Sequence, residues 1–257
     1  MPTLSWRTDG AVTMLTLQRP EAYNAMSETM AGEFAEAVRL IAKEPSKVVV
    51  LYGTGPAFSA GGDLGFIETN MARPQAKLAP LMRKFYGSFL SVRTLPQVTV
   101  AAINGPAVGA GLCLALACDL RLTVLDAKLS LNFVRLGLNP GMGAWPLARK
   151  AFGDARAREL LFTGRNFTGR ELVEWGAAVA GAQNVEELGI MTSDLAKSLA
   201  AASGESLRIL KAETRLGEKL EPYLAHEAKG QAVTFKGKDL AEGVAAVREK
   251  RLPVFKG

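Results

Sequence analysis

Two glycine-rich turns are the parts of this sequence best suited to chemistry. They read AFSAGGDL at 57–64 and NGPAVGAG at 104–111, and each follows an apolar run typical of a buried strand and leads into a helix. Backbone N–H groups at a helix start lack partners within the helix and carry partial positive charge. Two such groups aimed at one point would form an oxyanion hole, which stabilises negative charge on a carbonyl oxygen. The glycines could instead serve only helix–strand packing, but the occurrence of two such turns favours a functional role.

Other catalytic and binding motifs fail at specific residues. No G-x-x-x-x-G-K-[ST] phosphate-binding loop occurs, and GAGLCL has Leu114 where a dinucleotide-binding fingerprint needs its third glycine. No G-x-S-x-G motif occurs, and His226 is the single histidine of the chain. A Ser-His-Asp triad and a Cys/His zinc site are therefore not expected, and we predict no metal. His226 itself is interpreted as a surface or interface residue.

The elements that must position the two turns are indicated by hydrophobic periodicity. Apolar and β-branched runs predict strands at 11–17, 48–52, 97–103 and 120–124. These alternate with predicted helices at about 27–43, 75–92 and directly after the second turn. After about residue 150 the pattern is mainly helical, with helices expected at 184–202, 204–216, 221–235 and 238–250. Thr168 and Glu171 match a capping box, which locates one more helix start. We predict an α/β fold with a core over 1–195 and a helical C-terminal region over 196–257.

Composition and charge limit the class of protein and its surroundings. The 257 residues carry a formal net charge of +6, and 48% are hydrophobic, which is ordinary for a globular protein. The basic residues are scattered, unlike those of a nucleic-acid groove, and no apolar span is long and uninterrupted enough for a membrane helix. Cys113 and Cys118 lie on different faces of one predicted helix, so no disulfide is expected. With no secretory signal visible, these features favour the cytoplasm and predict no nucleic-acid or membrane partner.

Several longer stretches resemble the crotonase family, also called the enoyl-CoA hydratase/isomerase superfamily. They are LQRPEAYNAM, AFSAGGDL, AAINGPAVGAGLCLALACDLRL, LGLNPGMGA, ARELLFTGRNFTGRELVEWGAA and EGVAAVREKRLPVFKG, and they cover essentially the whole chain. The resemblance implies a crotonase-like spiral of ββα units with a helical C-terminal trimerisation region. It also implies a homotrimer or hexamer that acts on acyl-CoA thioesters in fatty acid metabolism. Coenzyme A would enter as part of the substrate, with no separate cofactor, and its phosphates would be attracted by the positive net charge.

The resemblance assigns the two oxyanion donors and the contacts to coenzyme A. One donor is the N–H of Gly62, just before the aspartate of the first turn, and the other is the N–H of Ala110 in the second turn. Alanine in place of the family's usual glycine keeps the N–H. A thioester carbonyl held by both donors has an acidic α-carbon, because charge moves onto oxygen as the enolate forms. Contacts to coenzyme A are expected, by the same analogy, at Arg19, Ala22, Ala60, Asp63, Leu64, Lys250 and Lys256.

The chain departs from the family at all three positions where a catalytic carboxylate is expected. Hydratases of the family hold a water between two glutamates, and these positions are Cys113 and Phe133 here. The acid that some isomerases use falls at Gly141. A thiol with an ordinary pKa is a poor base near neutrality, and each lost acid–base group is worth roughly 10²–10⁴ in rate. The sequence therefore predicts a protein that stabilises a thioester enolate but is not a standard hydratase.

Other polar residues could supply the missing groups. Glu68 lies one helical turn beyond the first glycine-rich turn, Tyr86 lies on the helix that often lines the acyl pocket, and Asn132 and Asn139 flank the vacant positions. Besides the two N–H donors, the candidate catalytic residues are Glu68, Tyr86 and Asn132. Asp63 is interpreted mainly as a helix cap. Several functions stay open. The first is an enzyme that uses the oxyanion hole, either for decarboxylation of a malonyl-type thioester, which gives an enolate without a base, or for isomerisation through Glu68 or Tyr86. The others are a nominal hydratase/isomerase with weak or unknown activity, and a protein that binds thioesters without turnover.

Overall fold

The computed structural model describes residues 2–71 and 74–214, together with the single residues 242, 249, 251 and 254. The strands within these residues are β1 (Leu4–Asp9), β2 (Val12–Leu17), β3 (Val48–Gly53), β4 (Val98–Ile103), β5 (Ala107–Val108), β6 (Leu120–Val124), β7 (Lys128–Ser130), β8 (Asn166–Thr168) and β9 (Ala180–Ala182). The α-helices are α1 (Glu28–Ile41), α2 (Leu64–Met71), α3 (Gln75–Leu90), α4 (Ala110–Ala117), α5 (Ala144–Thr163), α6 (Gly169–Glu174), α7 (Val185–Ala200) and α8 (Gly204–Glu213). Short 3-10 helices span Pro20–Ala22, Ser91–Thr94 and Asn132–Leu136.

The larger sheet brings the two glycine-rich turns together. Its strand order is β1-β2-β3-β4-β6-β9, and every neighbouring pair except β1 and β2 runs parallel. β3 and β4 stay in register as far as Tyr52 opposite Ala102, so both strands end at the same edge. Beyond that edge, Ser59 and Ala107 form an isolated bridge, and the Val108 N–H donates to the Ser59 carbonyl over 3.0 Å. Parallel pairing thus joins turns that are distant in sequence.

A smaller sheet fixes the second turn from its other side. The sheet has the order β5-β7-β8, with β5 parallel to β7 and β7 antiparallel to β8. β5 is itself part of the second turn, and the Gly109 N–H continues this pairing by donating to the Ser130 carbonyl over 2.8 Å. The second turn is therefore held by hydrogen bonds on both sides before α4 begins.

Two apolar layers cover the faces of the larger sheet. Val49 and Leu51 of β3 pack with α1, α3 and α4, whereas Val48 and Val50 point to the other face and pack with α7. Strands buried on both faces read as continuous apolar runs, which explains the VVVLY sequence. All eight residues of α4 are buried. A helix surrounded by protein has no polar face, so the apolar sequence after the second turn follows from its position.

Most of the predicted elements are confirmed, close to their expected limits. The capping box at Thr168 and Glu171 is also confirmed, because the Glu171 N–H donates to the Thr168 hydroxyl over 3.2 Å and the Thr168 N–H donates to the Glu171 carboxylate over 2.8 Å. α2 is an addition to the prediction. Leu64, Phe66 and Ile67 line a cavity, although Phe66 also packs against the core, so the sequence of α2 lacks the periodic apolar stripe that marks a packed helix.

Some predictions fall on residues beyond those the structure describes. These are the helix at 221–235, the helix at 238–250 apart from residues 242 and 249, and the residues His226, Lys250 and Lys256. The proposed division at 195/196 falls inside α7, and the two-region organisation stays a prediction. Both cysteines are free and buried. In the described part of the chain, none of the helices is long and apolar enough to cross a membrane.

Candidate active site

A cavity of about 850 Å³ opens beside the two glycine-rich turns. Its walls come from those turns, from α2 and α3, and from the segment 132–142 that follows β7. Most of the lining side chains are apolar, among them Phe66, Met82, Phe85 and Met142. A concave apolar pocket with a small number of polar groups is the usual form of a small-molecule site.

Two backbone N–H groups on the cavity wall are free to bind a ligand. Gly62 and Ala110 both line the cavity, and neither N–H donates a hydrogen bond to any other described residue. The two turns touch, since a Cβ built on Gly61 would lie 3.3 Å from the Ala110 nitrogen. Gly61 also has φ of +88°, which favours glycine. Ala110 is the first residue of α4, so its N–H lies at the positive end of a buried helix.

Asn24 holds the first turn in place, and sequence reasoning missed it. Its fully buried carboxamide donates to the carbonyls of Thr54 and Ala57 over 2.9 and 2.8 Å and accepts from the Arg19 N–H over 2.8 Å. The Ser59 hydroxyl in turn donates to the Asn24 carbonyl over 2.8 Å. Asn24 has φ of +55°, a conformation that asparagine adopts more readily than most residues. In the sequence, between RPEAY and AM, Asn24 reads as an ordinary turn residue, and no signal there identifies it.

Arg19 and Asp63 form an ion pair beneath the first turn. The Arg19 guanidinium donates to the Asp63 carboxylate over 2.9 Å and to the Ala25 carbonyl over 2.7 Å. The second Asp63 oxygen accepts from the Phe66 N–H over 3.2 Å, which caps α2. Partial burial opposes ionisation of Asp63, but the bonds from Arg19 and Phe66 outweigh it and hold the pKa below its usual range. Asp63 is therefore an ionised, engaged carboxylate rather than a free acid.

None of the three expected carboxylate positions offers a proton-transfer group. Cys113 is completely buried behind the cavity wall, and burial raises the pKa of its thiol, so the thiol is neutral at physiological pH. Phe133 lines the cavity with its ring. Gly141 has no side chain, and the space above its Cα holds the phenol of Tyr86: a Cβ built there would collide with the Tyr86 hydroxyl.

Tyr86, Asn132 and Asn139 are the polar candidates that reach the cavity. Tyr86 is half-buried, and burial raises the pKa of its phenol. Asn132 lies next to the second turn, with its Oδ1 atom 3.3 Å from a Cβ built on Gly109. Within the described chain, neither the Tyr86 hydroxyl nor the Asn132 carboxamide has a hydrogen-bond partner. Both are therefore available to a ligand.

The structure brings most of the predicted site residues together. Those that line the cavity are Ala22, Ala60, Gly62, Asp63, Leu64, Tyr86, Ala110, Asn132 and Asn139. Glu68 differs from the expectation, because its side chain is exposed on the outer side of α2 and is not part of the cavity wall. Arg19 supports Asp63 from behind the wall.

Comparison with known proteins defines the class. A sequence model of the enoyl-CoA hydratase/isomerase family matches residues 7–257. The chain is 31% identical over 250 residues to the 1,2-epoxyphenylacetyl-CoA isomerase of Escherichia coli, covering 96% of this chain and 95% of that protein. It is 30% identical to the human mitochondrial enoyl-CoA hydratase domain-containing protein 2, covering 97% of this chain and 87% of that protein. The crystal structure of the enoyl-CoA hydratase of Bacillus anthracis matches with a TM-score of 0.92 at 30% identity, covering 99% of both chains.

The fold is therefore the crotonase-like α/β fold that the sequence predicts. The chain belongs to the enoyl-CoA hydratase/isomerase family of enzymes.

Proposed function

We propose that the protein binds an acyl-CoA thioester in the cavity and stabilises its enolate on the N–H groups of Gly62 and Ala110. The observation that carries the proposal is the pair of unengaged N–H groups in touching turns on the wall of an apolar cavity. Donors that are already fixed before the reaction need no reorganisation as charge develops on the oxygen. The apolar surroundings strengthen this electrostatic stabilisation, because water screens it less there.

Hydration of an enoyl thioester is not the reaction we propose. It needs a base that activates water and an acid that protonates the α-carbon. Cys113 is a buried neutral thiol, Phe133 has no ionisable group, and Asp63 is paired with Arg19. A crotonase cavity with these residues retains the means to stabilise an enolate and lacks the pair of carboxylates that holds the water.

Decarboxylation of a malonyl-type thioester is the reaction that this set of groups favours. Loss of CO₂ leaves its bonding electrons on the α-carbon and gives the enolate directly, so no base is required. Asp63 is the sole carboxylate among the described residues of the cavity wall, and it is engaged by Arg19. Ala22, Ala60 and Leu64, at the edge of the first turn, are proposed to contact coenzyme A. The trimeric or hexameric assembly and the cytoplasmic location stay predictions.

The hydration assay tests this function. Crotonyl-CoA should be hydrated at least about 10²-fold more slowly than by a family hydratase that carries both glutamates, because each missing acid–base group costs that much or more. The assay follows the loss of the enoyl thioester absorbance, with calorimetric titration of butyryl-CoA alongside it. Binding of butyryl-CoA with slow hydration supports the proposal. Hydration at the rate of the reference hydratase would refute our interpretation of Cys113 and Phe133, and failure to bind any thioester would refute the function.

A further inference from the structure

The Tyr86 hydroxyl occupies the space that a side chain at position 141 would fill. A Cβ built on Gly141 would collide with the hydroxyl oxygen and lie 2.6 Å from the ring carbon that bears it. Because position 141 has no side chain, the phenol can extend across it into the cavity wall. Glycine at 141 and tyrosine at 86 are thus matched in shape.

The surroundings of the ring leave its hydroxyl as a lone polar atom in an apolar region. The neighbouring Phe85 ring meets Tyr86 edge-on at 6.4 Å between centroids, and Phe85 stacks on Phe66 at 4.8 Å. The hydroxyl has no hydrogen-bond partner among the described residues. Burial, with a smaller contribution from Cys113, raises the pKa of the phenol. At neutral pH the phenol is therefore protonated, and it can donate a proton but not accept one.

Other groups on the described cavity wall are poorer sources of a proton. Asp63 is ionised and bound to Arg19. The Asn132 carboxamide forms hydrogen bonds but has no acidic proton. Tyr23 is 56% exposed and lies at the mouth of the first turn. Tyr86 alone combines a transferable proton with a place in the apolar part of the wall.

We infer that Tyr86 is the catalytic proton donor that quenches the thioester enolate at its α-carbon, and that Gly141 is the position that lets its hydroxyl reach the cavity. The inference rests on the proposed function, because an enolate has to form before it can be protonated. The substrate class is that of the proposed function, a malonyl-type thioester, whose enolate is formed by loss of CO₂.

The reaction balances without a co-reactant other than water. The bond from the α-carbon to the carboxylate breaks, CO₂ departs, and the electron pair moves through the α-carbon onto the thioester oxygen held by Gly62 and Ala110. The pair then returns to the α-carbon, which takes the proton of the Tyr86 hydroxyl. The phenolate recovers a proton from water. The net change is one proton consumed and one CO₂ released for each saturated acyl thioester formed.

The test is the stereochemistry of protonation in D₂O. A fixed donor delivers deuterium to one face of the enolate, so the wild-type protein should convert 2-methylmalonyl-CoA to a single configuration of the 2-deuterated product. Tyr86→Phe removes the donor and leaves the ring, so solvent should supply the deuteron to both faces and give a mixture of the two configurations. Turnover should fall by about 10²-fold, the lower limit for loss of a general acid. The product is analysed by NMR with a chiral derivative of the acyl group.

Two further variants make the result specific to the hydroxyl. Tyr52→Phe makes the same chemical change at a tyrosine of β3 outside the cavity wall, and it should leave rate and stereochemistry unchanged. Gly141→Ala should displace the phenol and reproduce the stereochemical loss, with no additional loss when combined with Tyr86→Phe. Circular dichroism and thermal melting confirm that each variant is folded.

The outcomes distinguish failure of the role assigned to Tyr86 from failure of the proposed function. CO₂ release by Tyr86→Phe with the wild-type configuration retained would overturn the role of Tyr86 while leaving the enolate proposal in place. Wild-type protein that binds the thioester but releases no CO₂ would overturn the substrate class, and with it the role of Tyr86. Wild-type protein that does not bind the thioester at all would point instead to failure of the proposed function.

Discussion

Replacing Ala110 by proline should lower thioester turnover by about 10²–10³-fold, the usual cost of losing one oxyanion donor. Proline has no N–H, and it is well tolerated as the first residue of a helix, where the N–H has no intrahelical partner. Ala110 is that first residue in α4. The substitution therefore removes the proposed donor while the helix keeps its internal hydrogen bonds. Steady-state kinetics should show the loss mainly in kcat, because the interaction strengthens as charge develops on the oxygen.

Ala110→Gly is the matched control for this substitution. It removes the methyl group and keeps the N–H, so the proline variant should be far less active than the glycine variant. Near-equal activity of the two, with both proteins folded, would contradict the assignment of the Ala110 N–H as an oxyanion donor.

Replacing Asn24 by alanine should reduce the free energy of unfolding by about 3 kcal/mol, because it leaves buried hydrogen-bonding groups without partners. The carbonyls of Thr54 and Ala57 would lose their donor, and the Arg19 N–H would lose its acceptor. Activity should fall as well, since these bonds hold the turn that carries Gly62. Urea unfolding followed by circular dichroism measures the first effect, and turnover below the unfolding transition measures the second.

Two controls identify the cause of that loss. Asn166→Ala removes an exposed asparagine of β8, and it should change stability by no more than about 0.5 kcal/mol. Asn24→Gly also lacks the carboxamide, but glycine adopts the φ of +55° found at this position without steric strain. If Asn24→Gly were as stable as the wild-type protein, the backbone conformation rather than the hydrogen bonds would explain the role of Asn24.

The features that could be predicted from sequence are those that depend on local pattern. The strands β3 and β4 and the helix α4 are buried on every side, and such elements carry apolar residues throughout. Their burial can therefore be predicted from the types of their residues. The glycines of the two turns reflect close backbone approach, as the contact between Gly61 and the second turn illustrates. The choice of Gly62 and Ala110 as the donors comes from the family resemblance that these two turns carry.

The features that could not be predicted depend on contacts between distant segments. The fit of Tyr86 over Gly141 joins residues on α3 and on the segment before α5, and no periodicity relates them. Asn24 looks like an ordinary turn residue until its carboxamide is seen to join three separate backbone groups. The spacing of Glu68 from the first glycine-rich turn suggests a place in the cavity, but α2 directs its side chain to solvent.

The carbonyl stretching frequency of a bound thioester tests the central claim most directly. Butyryl-CoA labelled with ¹³C at its carbonyl would be measured by infrared difference spectroscopy, free and bound to the wild-type protein and to Ala110→Pro. Two N–H donors polarise the carbonyl, so the band should move to lower frequency on binding to the wild-type protein, and less so in the variant. A bound thioester whose carbonyl band stays at its frequency in water would contradict the oxyanion hole at Gly62 and Ala110.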